Sequence, residues 1–450
     1  MGSTHGSRLR SRHGSRLGPQ TACSDPHTGH HEGSPPNVFD VNNRSPDPAP
    51  SLSLGVDLGG THLRVVAFRG LGDTARRRFA PPDSGGIPDS LIQAEHRERV
   101  GKNRTPERLV GRIGDLVESL LSRSRSPGHP ADPGPPIPFP VGVAVAGMPG
   151  GPAGFIARSP NLGWTDVPLG ELLRERLGER FRVRVVNDVS AAAWAEYRLG
   201  AGVGVRDLLA VFMGTGIGGG IVARGQLVEG AVGCAGELGH MKVVSGPGGR
   251  RCRCGGSGCV EAYAGGRAME KRARTELGAH GRSPTGLRSA PPRESRATEL
   301  AGNLEGVRAA HLDRAAGLGD PYAVQLWDEV APLLGMALAN AVTLLNPAVL
   351  ILGGGMISRT PLLRERMVEE LRKRAVPPAL DTLTIREALL GDASGAAGAA
   401  LLAEDAPTAE AEASTTPGAS TTAGASTADG ASPPFGGAGE APGGTPDQES

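Results

Sequence analysis

Short apolar segments alternate with longer amphipathic segments through the central part of this sequence. The apolar segments are rich in Val, Leu and Ile and end at Gly, Asn or Asp, which predicts strands. Helical spacing of apolar side chains follows Thr105-Pro106, and long helical segments cover residues 189–198 and 322–345. The alternation is typical of an α/β fold. The predicted strands cover residues 52–56, 63–68, 141–145, 183–186, 208–213 and 349–352.

The remaining segments are polar and lack this periodicity. Residues 83–104, 125–138 and 281–306 are rich in Pro, Arg or Gly, and we predict that they are surface insertions. Residues 1–51 repeat His-Gly-Ser-Arg-Leu, and residues 405–450 repeat Ala-Ser every six residues. Neither end can bury enough apolar surface to offset its ordering entropy, so both are predicted to be disordered low-complexity tails.

Composition and charge exclude several classes of protein. The chain has 450 residues, enough for two domains with cores of their own. Its net charge of +1 gives no overall attraction for nucleic acid or acidic membranes. Four of the five cysteines lie between residues 234 and 259, which is unlike a secreted disulfide framework. No secretory signal or membrane-spanning segment is recognisable, so we expect a cytoplasmic protein.

A cluster of sulfur and imidazole side chains suggests a metal site. Three cysteines lie within eight residues, and a histidine stands twelve positions before the first of them: His240, Cys252, Cys254 and Cys259. Three thiolates and an imidazole complete a tetrahedral zinc site and leave no open position for catalysis. The zinc would therefore fix two flanking carboxylates, Glu237 and Glu261, rather than react. The alternative is a set of buried thiols beside an unrelated histidine.

Three glycine clusters, each after a predicted strand, suggest a site for nucleotide phosphates. Glycine lets backbone N–H groups approach an anion closely. None of these turns has the dinucleotide pattern or the Walker lysine, so Mg²⁺ and backbone dipoles would have to neutralise the phosphates. Asp57 is predicted to lie near that metal through water, or alternatively to cap a turn. The predicted nucleotide-binding residues are Asp57, Gly59, Gly60, Thr61, Gly214, Thr215, Gly216, Gly354 and Gly355.

Polar residues at strand ends supply candidates for catalysis and for binding a ligand that carries hydroxyl groups. Asn187-Asp188 closes a predicted strand and begins a helix, so Asp188 is either a helix N-cap or a general base. Open α/β sheets bind ligands at the carboxyl ends of strands, which favours the base. Asn187 would then contact a second hydroxyl. Asn161 supplies another amide from the loop 159–164, where asparagine is otherwise a turn former.

These residues together resemble the ROK family of sugar kinases and sugar-responsive repressors. The matching segments lie in the family's order within residues 52–404 and are Gly55–Thr61, Ser159–Trp164, Asn187–Val189, Gly214–Gly220, Gly236–His240 and Cys252–Glu261. The resemblance implies a two-domain actin-like ATPase (ribonuclease H-like) fold with a cleft. It implies Asp188 as the base that deprotonates a sugar hydroxyl, most often at C6. It also implies ATP as donor, and sugar contacts from Asn161, Asn187, Glu237, His240 and Glu261.

The resemblance sets further expectations. We expect a small domain at residues 52–187 plus 388–404, a large domain with the zinc site at residues 188–387, and a homodimer. The expected function is an ATP-dependent hexose kinase, most often specific for glucose, with Mg²⁺ and structural zinc. Kinases for N-acetylglucosamine, N-acetylmannosamine or fructose remain alternatives. A sugar-sensing repressor would need an amino-terminal helix-turn-helix, and residues 1–51 show no apolar periodicity.

Overall fold

The computed structural model describes residues 51–77, 85–124, 138–278 and 295–406. Within them lie thirteen strands and twelve α-helices, and the predicted α/β class is correct. The strands are β1 (Leu52–Leu58), β2 (His62–Arg69), β3 (Ile92–Arg99), β4 (Phe139–Val145), β5 (Met148–Pro149), β6 (Ile156–Ser159), β7 (Trp164–Val167), β8 (Phe181–Asn187), β9 (Leu208–Met213), β10 (Ile217–Ala223), β11 (Gln226–Val228), β12 (Val349–Gly353) and β13 (Thr384–Glu387).

The helices cover the faces of the sheets and connect the strands. They are α1 (Leu71–Arg77), α2 (Pro106–Arg123), α3 (Leu169–Leu177), α4 (Asp188–Leu199), α5 (Glu261–Ala264), α6 (Gly266–Gly278), α7 (Arg296–Ala301), α8 (Ala309–Gly317), α9 (Pro321–Leu345), α10 (Pro361–Arg374), α11 (Pro377–Thr382) and α12 (Ser394–Glu404). Both low-complexity tails fall almost wholly outside the described residues, as does most of the predicted insertion 125–138.

The first mixed sheet has the strand order β3-β2-β1-β4-β8. Strand β1 runs antiparallel to β2 and parallel to β4, and β4 runs parallel to β8. The central strands β1 and β4 are buried, which explains their nearly continuous apolar sequences. Their carboxyl ends lie side by side, where Leu58 pairs with Val145 and Val145 with Asn187. This edge of the sheet therefore gathers the turn after β1 and the start of α4.

The prediction that residues 83–104 form a surface insertion was wrong. Residues 92–99 form β3, which pairs along its length with β2 at the edge of the first sheet. Its sequence, IQAEHRER, alternates between half-buried and exposed side chains because an edge strand has a solvent-facing side. A strand with so few apolar residues lacks the pattern by which the central strands are recognised.

The second mixed sheet has the order β11-β10-β9-β12-β13. Strand β9 pairs antiparallel with β10 and parallel with β12, so the sheet repeats the topology of the first one. A third, small sheet of β5, β6 and β7 adjoins the first. Helix α12 returns to pack on β1, β4 and α4. The boundaries that we predict between two domains remain a prediction.

One described helix, α9, is long and apolar enough to cross a membrane by length and composition alone. Half of its most apolar stretch is buried inside the protein, where Trp327, Leu334 and Leu338 join the core of the second half of the chain. Asp320 caps its start by accepting the N–H of Ala323, and Asn346 ends it in the left-handed conformation. In this structure α9 is a core helix.

Candidate active site

A cavity of about 850 Å³ lies where the strands of both sheets end. It collects every residue that was predicted to contact the sugar: Asn161, Asn187, Asp188, Glu237, His240 and Glu261. It also collects most of those predicted to contact the nucleotide: Gly59, Gly60, Gly214, Thr215, Gly216 and Gly354. Segments that are up to 295 residues apart in sequence, from Gly59 to Gly354, thus line one space. A site of this size and mixed lining is typical of small-molecule binding.

Asp188 stands at the first position of α4, and its neighbour performs the capping. The Oδ1 atom of Asn187 accepts the N–H groups of Val189 at 2.9 Å and Ser190 at 3.1 Å. The Nδ2 atom of Asn187 donates to the carbonyl of Gly147 at 3.0 Å. The alternative of Asp188 as the N-cap therefore does not hold. The side chain of Asn187 fixes the start of the helix and with it the position of Asp188, and the second N–H of its amide is left for a ligand in the cavity.

The electrostatics of the site favour a proton-accepting role for Asp188. Burial, and secondly the charge of Asp57, raise the pKa of Asp188 to about 7, while the N–H of Val189 acts in the opposite direction. A base works best when its pKa lies near the working pH. Asp57 does not line the cavity, and burial raises its own pKa to about 6, with Arg64 opposing. Two neighbouring carboxyl groups with raised pKa values are typical of a functional site.

Glu237, His240 and the cysteine cluster form a continuous chain. The Nε2 atom of His240 lies 3.7 Å from Oε2 of Glu237, inside the cavity. Its Nδ1 atom lies 3.6 Å from Sγ of Cys252. The two ring nitrogens therefore face different groups, as expected of a histidine that serves a ligand site and a metal site. Burial raises the pKa of Glu237, and His240 opposes this.

The cysteine cluster is compact enough to hold a metal ion. The sulfur atoms of Cys252, Cys254 and Cys259 and a ring nitrogen of His240 all lie within 4.8 Å of one another. Cys259 is fully buried, and the Nζ atom of Lys242 donates to its sulfur at 2.9 Å. Three thiolates and one imidazole are a donor set that binds zinc, since soft sulfur ligands and imidazole both favour this ion.

Glu261 connects the cysteine cluster to the second glycine turn. Its Oε2 atom accepts the N–H of Ile217 at 2.9 Å. A side chain on Gly216 would begin 2.3 Å from the same oxygen and would displace this carboxylate. One carboxylate oxygen of Glu261 is thus held beside the second glycine turn, and the other remains for a ligand.

Asn161 is held by three segments that sequence reasoning did not connect. Its backbone carbonyl accepts a hydrogen bond from Arg104 Nη1 at 2.7 Å. The backbone carbonyl of Arg104 in turn accepts one from Trp164 Nε1 at 2.6 Å. A side chain on Gly60 would begin 2.7 Å from Cβ of Asn161. Arg253, between two of the cysteines, donates to Asn161 Oδ1 at 3.4 Å. An amide oxygen that faces Arg253 leaves the Nδ2 group of Asn161 to donate into the cavity.

The third glycine turn opens onto a second cavity of about 600 Å³. Gly354 has a φ of +94°, and a side chain there would begin 2.4 Å from the carbonyl of Met213. Gly355 lines the second cavity together with Gly214 and Thr215, which also line the first. The two cavities therefore meet at the turn after β9. Thr61 is exposed and lines neither of them.

Arg104, Lys242 and Arg253 are functional candidates that the sequence analysis missed. Each is a basic residue in a polar loop, where a charged side chain is most often solvated. Only the position of Arg253 between two predicted ligands could have indicated a role. Cys234 is half-buried and outside the cluster, and its sulfur donates to the carbonyl of Pro149 at 3.1 Å.

Comparison with known proteins identifies the family. A model described as "ROK family" matches residues 53–406. A glucokinase from Streptomyces coelicolor is 31% identical over 359 residues, which are 79% of this chain and 98% of that protein. A glucokinase from Thermotoga maritima is 33% identical over 358 residues, again 79% and 98%. An N-acetylmannosamine kinase from Salmonella paratyphi B is 28% identical over 355 residues, 78% of this chain and 98% of that protein.

Solved structures agree with these matches. A ROK family glucokinase from Streptomyces griseus, crystallised with glucose and AMPPNP, has a TM-score of 0.58 and 29% identity, covering 79% of this chain and 100% of that one. A ROK hexokinase from Thermus thermophilus has a TM-score of 0.56 and 28% identity, covering 78% and 97%. The two mixed sheets match those of ROK structures, which confirms the predicted α/β architecture of an actin-like ATPase at the level of the fold.

Proposed function

This chain belongs to the ROK family, and on that premise we propose that it is an ATP-dependent glucokinase. It would transfer the γ-phosphoryl group of ATP to a hydroxyl of glucose. One observation supports this proposal above all: Asp188 lies in a cavity shared with two glycine turns, and its pKa is raised to about 7. Relatives named glucokinase, at 31% and 33% identity over most of the chain, support the choice of sugar.

Asp188 is proposed to accept the proton of the reacting hydroxyl. Its Oδ1 atom accepts the N–H of Val189 at 3.0 Å, which fixes the carboxylate and leaves Oδ2 for the sugar. As the hydroxyl oxygen attacks the γ-phosphorus, its proton passes to Asp188 and the bond to the ADP oxygen breaks. A pKa near 7 lets the carboxylate hold that proton briefly and return it to water.

The donor is proposed to lie across the junction of the two cavities. Its phosphates would meet the backbone of Gly59–Gly60 and Gly214–Gly216, and its nucleoside would enter the second cavity beside Gly355 and Met356. Backbone N–H groups at such turns bind anions without the need for a lysine. Mg²⁺ would arrive with ATP and neutralise phosphate charge. Asp57 is the proposed carboxylate near this Mg²⁺ ion. A Cβ atom added at Gly395 would lie 3.3 Å from the carboxyl carbon of Asp57, so this carboxylate packs against the start of α12.

The acceptor sugar is proposed to contact five residues on the side opposite the donor: Asn161, Asn187, Glu237, His240 and Glu261. The carboxylates accept hydrogen bonds from sugar hydroxyls, and the Nδ2 group of Asn161 donates to a sugar oxygen. Zinc is proposed on His240, Cys252, Cys254 and Cys259. Their compact donor set fits zinc, and four protein ligands leave the ion a structural role. The ion would hold His240 in place while the reaction proceeds at Asp188.

The cellular location is proposed from the state of the cysteines, and the assembly from the family resemblance. The four described cysteines are free thiols, which suits a reducing cytoplasm. The family resemblance supports a homodimer. An N-acetylhexosamine kinase is the second candidate for the reaction, because a relative with that activity in its name covers 78% of the chain at 28% identity.

An assay that couples ADP release to a panel of hexoses and N-acetylhexosamines tests the proposal. We expect kcat/KM for glucose to exceed that for every other sugar, since specificity is measured by that ratio. A higher kcat/KM for an N-acetylhexosamine would assign the second candidate instead. No ADP release with any sugar would contradict the kinase proposal. Because zinc, Mg²⁺ and ATP are added or verified separately, a missing cofactor is distinguished from a missing activity.

A further inference from the structure

One part of the main cavity is basic, and the proposed reaction does not use it. Beyond His240 and Cys252 the cavity is lined by the loop before the cysteines and by one face of α6. Four cationic residues lie there, and we call this part the basic arm: Arg250, Arg251, Lys271 and Arg272. The same cavity is also lined by carboxylates: Asp188, Glu237, Glu261 and Glu276.

Arg250 is a half-buried cation whose side chain has no carboxylate ion pair among the described residues. Its guanidinium lies over the ring of Tyr263 at 4.8 Å from the centroid. Tyr263 also fixes the backbone, because its hydroxyl accepts the N–H of Arg250 at 2.8 Å. The site is therefore built to hold this guanidinium in one orientation. Its N–H groups face the cavity with hydrogen-bonding capacity to spare.

The carboxylates nearest to Arg250 are already engaged by other groups. Arg272 donates to Glu276 Oε1 at 2.8 Å and to Glu329 Oε2 at 2.5 Å. The hydroxyl of Tyr322 donates to the other oxygen of Glu276 at 3.0 Å. Arg272 itself acts on Arg250 as a like charge. Within the described part of the chain, Arg251 and Lys271 are exposed and form no ion pair. The basic arm therefore carries uncompensated positive charge beside a sugar site.

The basic arm and the proposed sugar contacts are joined by one short segment of the chain. The Nδ1 atom of His240, a proposed sugar contact, lies 3.6 Å from Sγ of Cys252. Arg250 lies two residues before Cys252 and lines the same cavity as His240 and Asp188. A sugar that contacts His240 therefore shares its cavity with the basic arm.

From these observations, and resting on the proposed sugar kinase function, we propose that the basic arm binds a phosphate group beside the acceptor sugar. Guanidinium and ammonium groups without carboxylate partners are the donors that phosphate oxygens prefer. The phosphate has two possible sources. It is either free inorganic phosphate that binds together with glucose, or the ester phosphate of an aldose 1-phosphate that occupies both parts of the cavity at once.

Calorimetric titration of the full-length, zinc-containing protein without ATP distinguishes these sources. Glucose, glucose 1-phosphate, and inorganic phosphate in the presence of saturating glucose are titrated at ionic strength held constant with chloride. We expect glucose 1-phosphate to bind about tenfold more tightly than glucose, as a charge-assisted hydrogen bond allows. Binding of inorganic phosphate to the glucose complex would support the free source. If neither phosphate compound binds more tightly than its phosphate-free control, the proposal is overturned.

Variants link that binding to the basic arm. Arg250→Gln is expected to reduce the ratio of glucose 1-phosphate affinity to glucose affinity by about tenfold. Because Arg250 also packs on Tyr263, Lys271→Gln provides a second test at an exposed position, with an expected reduction of about threefold. Arg372→Gln, at an exposed position of α10 outside the cavity, is the matched control and should keep the parent ratio. An unchanged ratio in both cavity variants would overturn the proposal.

The same preparations are assayed for ATP-dependent phosphorylation of glucose. Loss of that activity in the parent protein would count against the proposed function, whereas the phosphate titrations are read without ATP. The two proposals can therefore fail independently.

Discussion

The two mixed sheets of this protein share one topology but carry different chemistry. Each has the order third, second, first, fourth, fifth strand, with the second strand antiparallel to the first and the fourth parallel to it. Both first strands, β1 and β9, end in a glycine turn. Two residues before that turn stands Asp57 in the first sheet and Phe212 in the second. The strand order is the same in both sheets, but only the first sheet has an ionisable residue, Asp57, at this position.

The later strands diverge in the same way. In the first sheet the fifth strand, β8, ends at Asn187 and leads directly into Asp188. In the second sheet the chain between β11 and β12 contains the cysteine cluster and α5 to α9. The first half therefore supplies the proposed proton acceptor, and the second half supplies the proposed metal site and most of the sugar contacts. Glycine turns, the proposed contacts for phosphate, are the feature that both halves share.

The largest effect should follow removal of the proton acceptor from the first half. Asp188→Asn is expected to lower kcat by about 10²–10⁴-fold, the usual contribution of a positioned general base. Glucose binding, measured by calorimetry, should remain, since the amide has nearly the same shape. Asp207→Asn, at the start of the second sheet and outside the cavity, is the control that should keep its turnover. Parent-level kcat in the Asp188 variant would refute the assignment.

Disruption of the metal site in the second half should be next in size. Cys254→Ser is expected to lose bound zinc and to lower kcat/KM for glucose by about 10–100-fold, because His240 loses its fixed orientation. Elemental analysis of the parent should find about one zinc per chain. Cys234→Ser, a cysteine outside the cluster, should keep both zinc and activity. Full activity in protein shown to be free of zinc would remove the proposed structural role.

The pH dependence of the reaction tests the influence of Asp57, which has no counterpart in the second half, on the pKa of Asp188. Because burial and Asp57 raise the pKa of Asp188 to about 7, kcat/KM should rise as the pH rises through about 7. Asp57→Asn removes a like charge, so it should lower the pKa of Asp188 and move this rise to lower pH. A pH–rate profile of both proteins measures the shift. A rise that stays at the same pH would show that the two carboxyl groups do not interact.

The smallest expected effect concerns the contact between the two halves. Arg253→Met is expected to raise KM for glucose by about fivefold, since its exposed hydrogen bonds to Asn161 and to the Pro160 carbonyl are lost. Arg253→Lys should restore part of the affinity, because the ammonium can still donate to the Pro160 carbonyl or to Asn161. Zinc content should be unchanged in both. An increase in KM for ATP with no change in KM for glucose would place Arg253 on the donor side instead.

The comparison also shows which parts of the fold were predictable. Central strands such as β9, whose predicted and observed bounds both cover residues 208–213, are continuous apolar segments, so their sequences were sufficient. The glycine run that follows the turn after β9 lies in a strand, since Gly218, Gly219 and Gly220 belong to β10. A side chain on Gly220 would begin 2.3 Å from Cβ of Ala193 on α4. Glycine there serves close helix packing, which no local pattern reveals.

The sequence predicted most of the residues that line the cavity, but it did not predict the contacts that hold them there. Residues with rare side-chain chemistry at strand ends, such as Asp188 and His240, could be chosen from sequence because their types match the reaction. Three other features depend on contacts between segments that are far apart in the chain: the hydrogen bond of Asn187 to the Gly147 carbonyl, the contact of Arg253 with Asn161, and the charge of the basic arm. Such contacts follow from tertiary packing, which overrides local preference.

The close approach of Gly60 to Asn161 has a consequence for how specificity can change. The loop proposed to contact the acceptor lies directly against the turn proposed to contact the donor, with no room for even a methyl group between them. A substitution that shifts one of these surfaces must displace the other. Engineering a new sugar preference through this loop would therefore alter the handling of ATP as well, and variants that change both together should be easier to obtain than variants that change one.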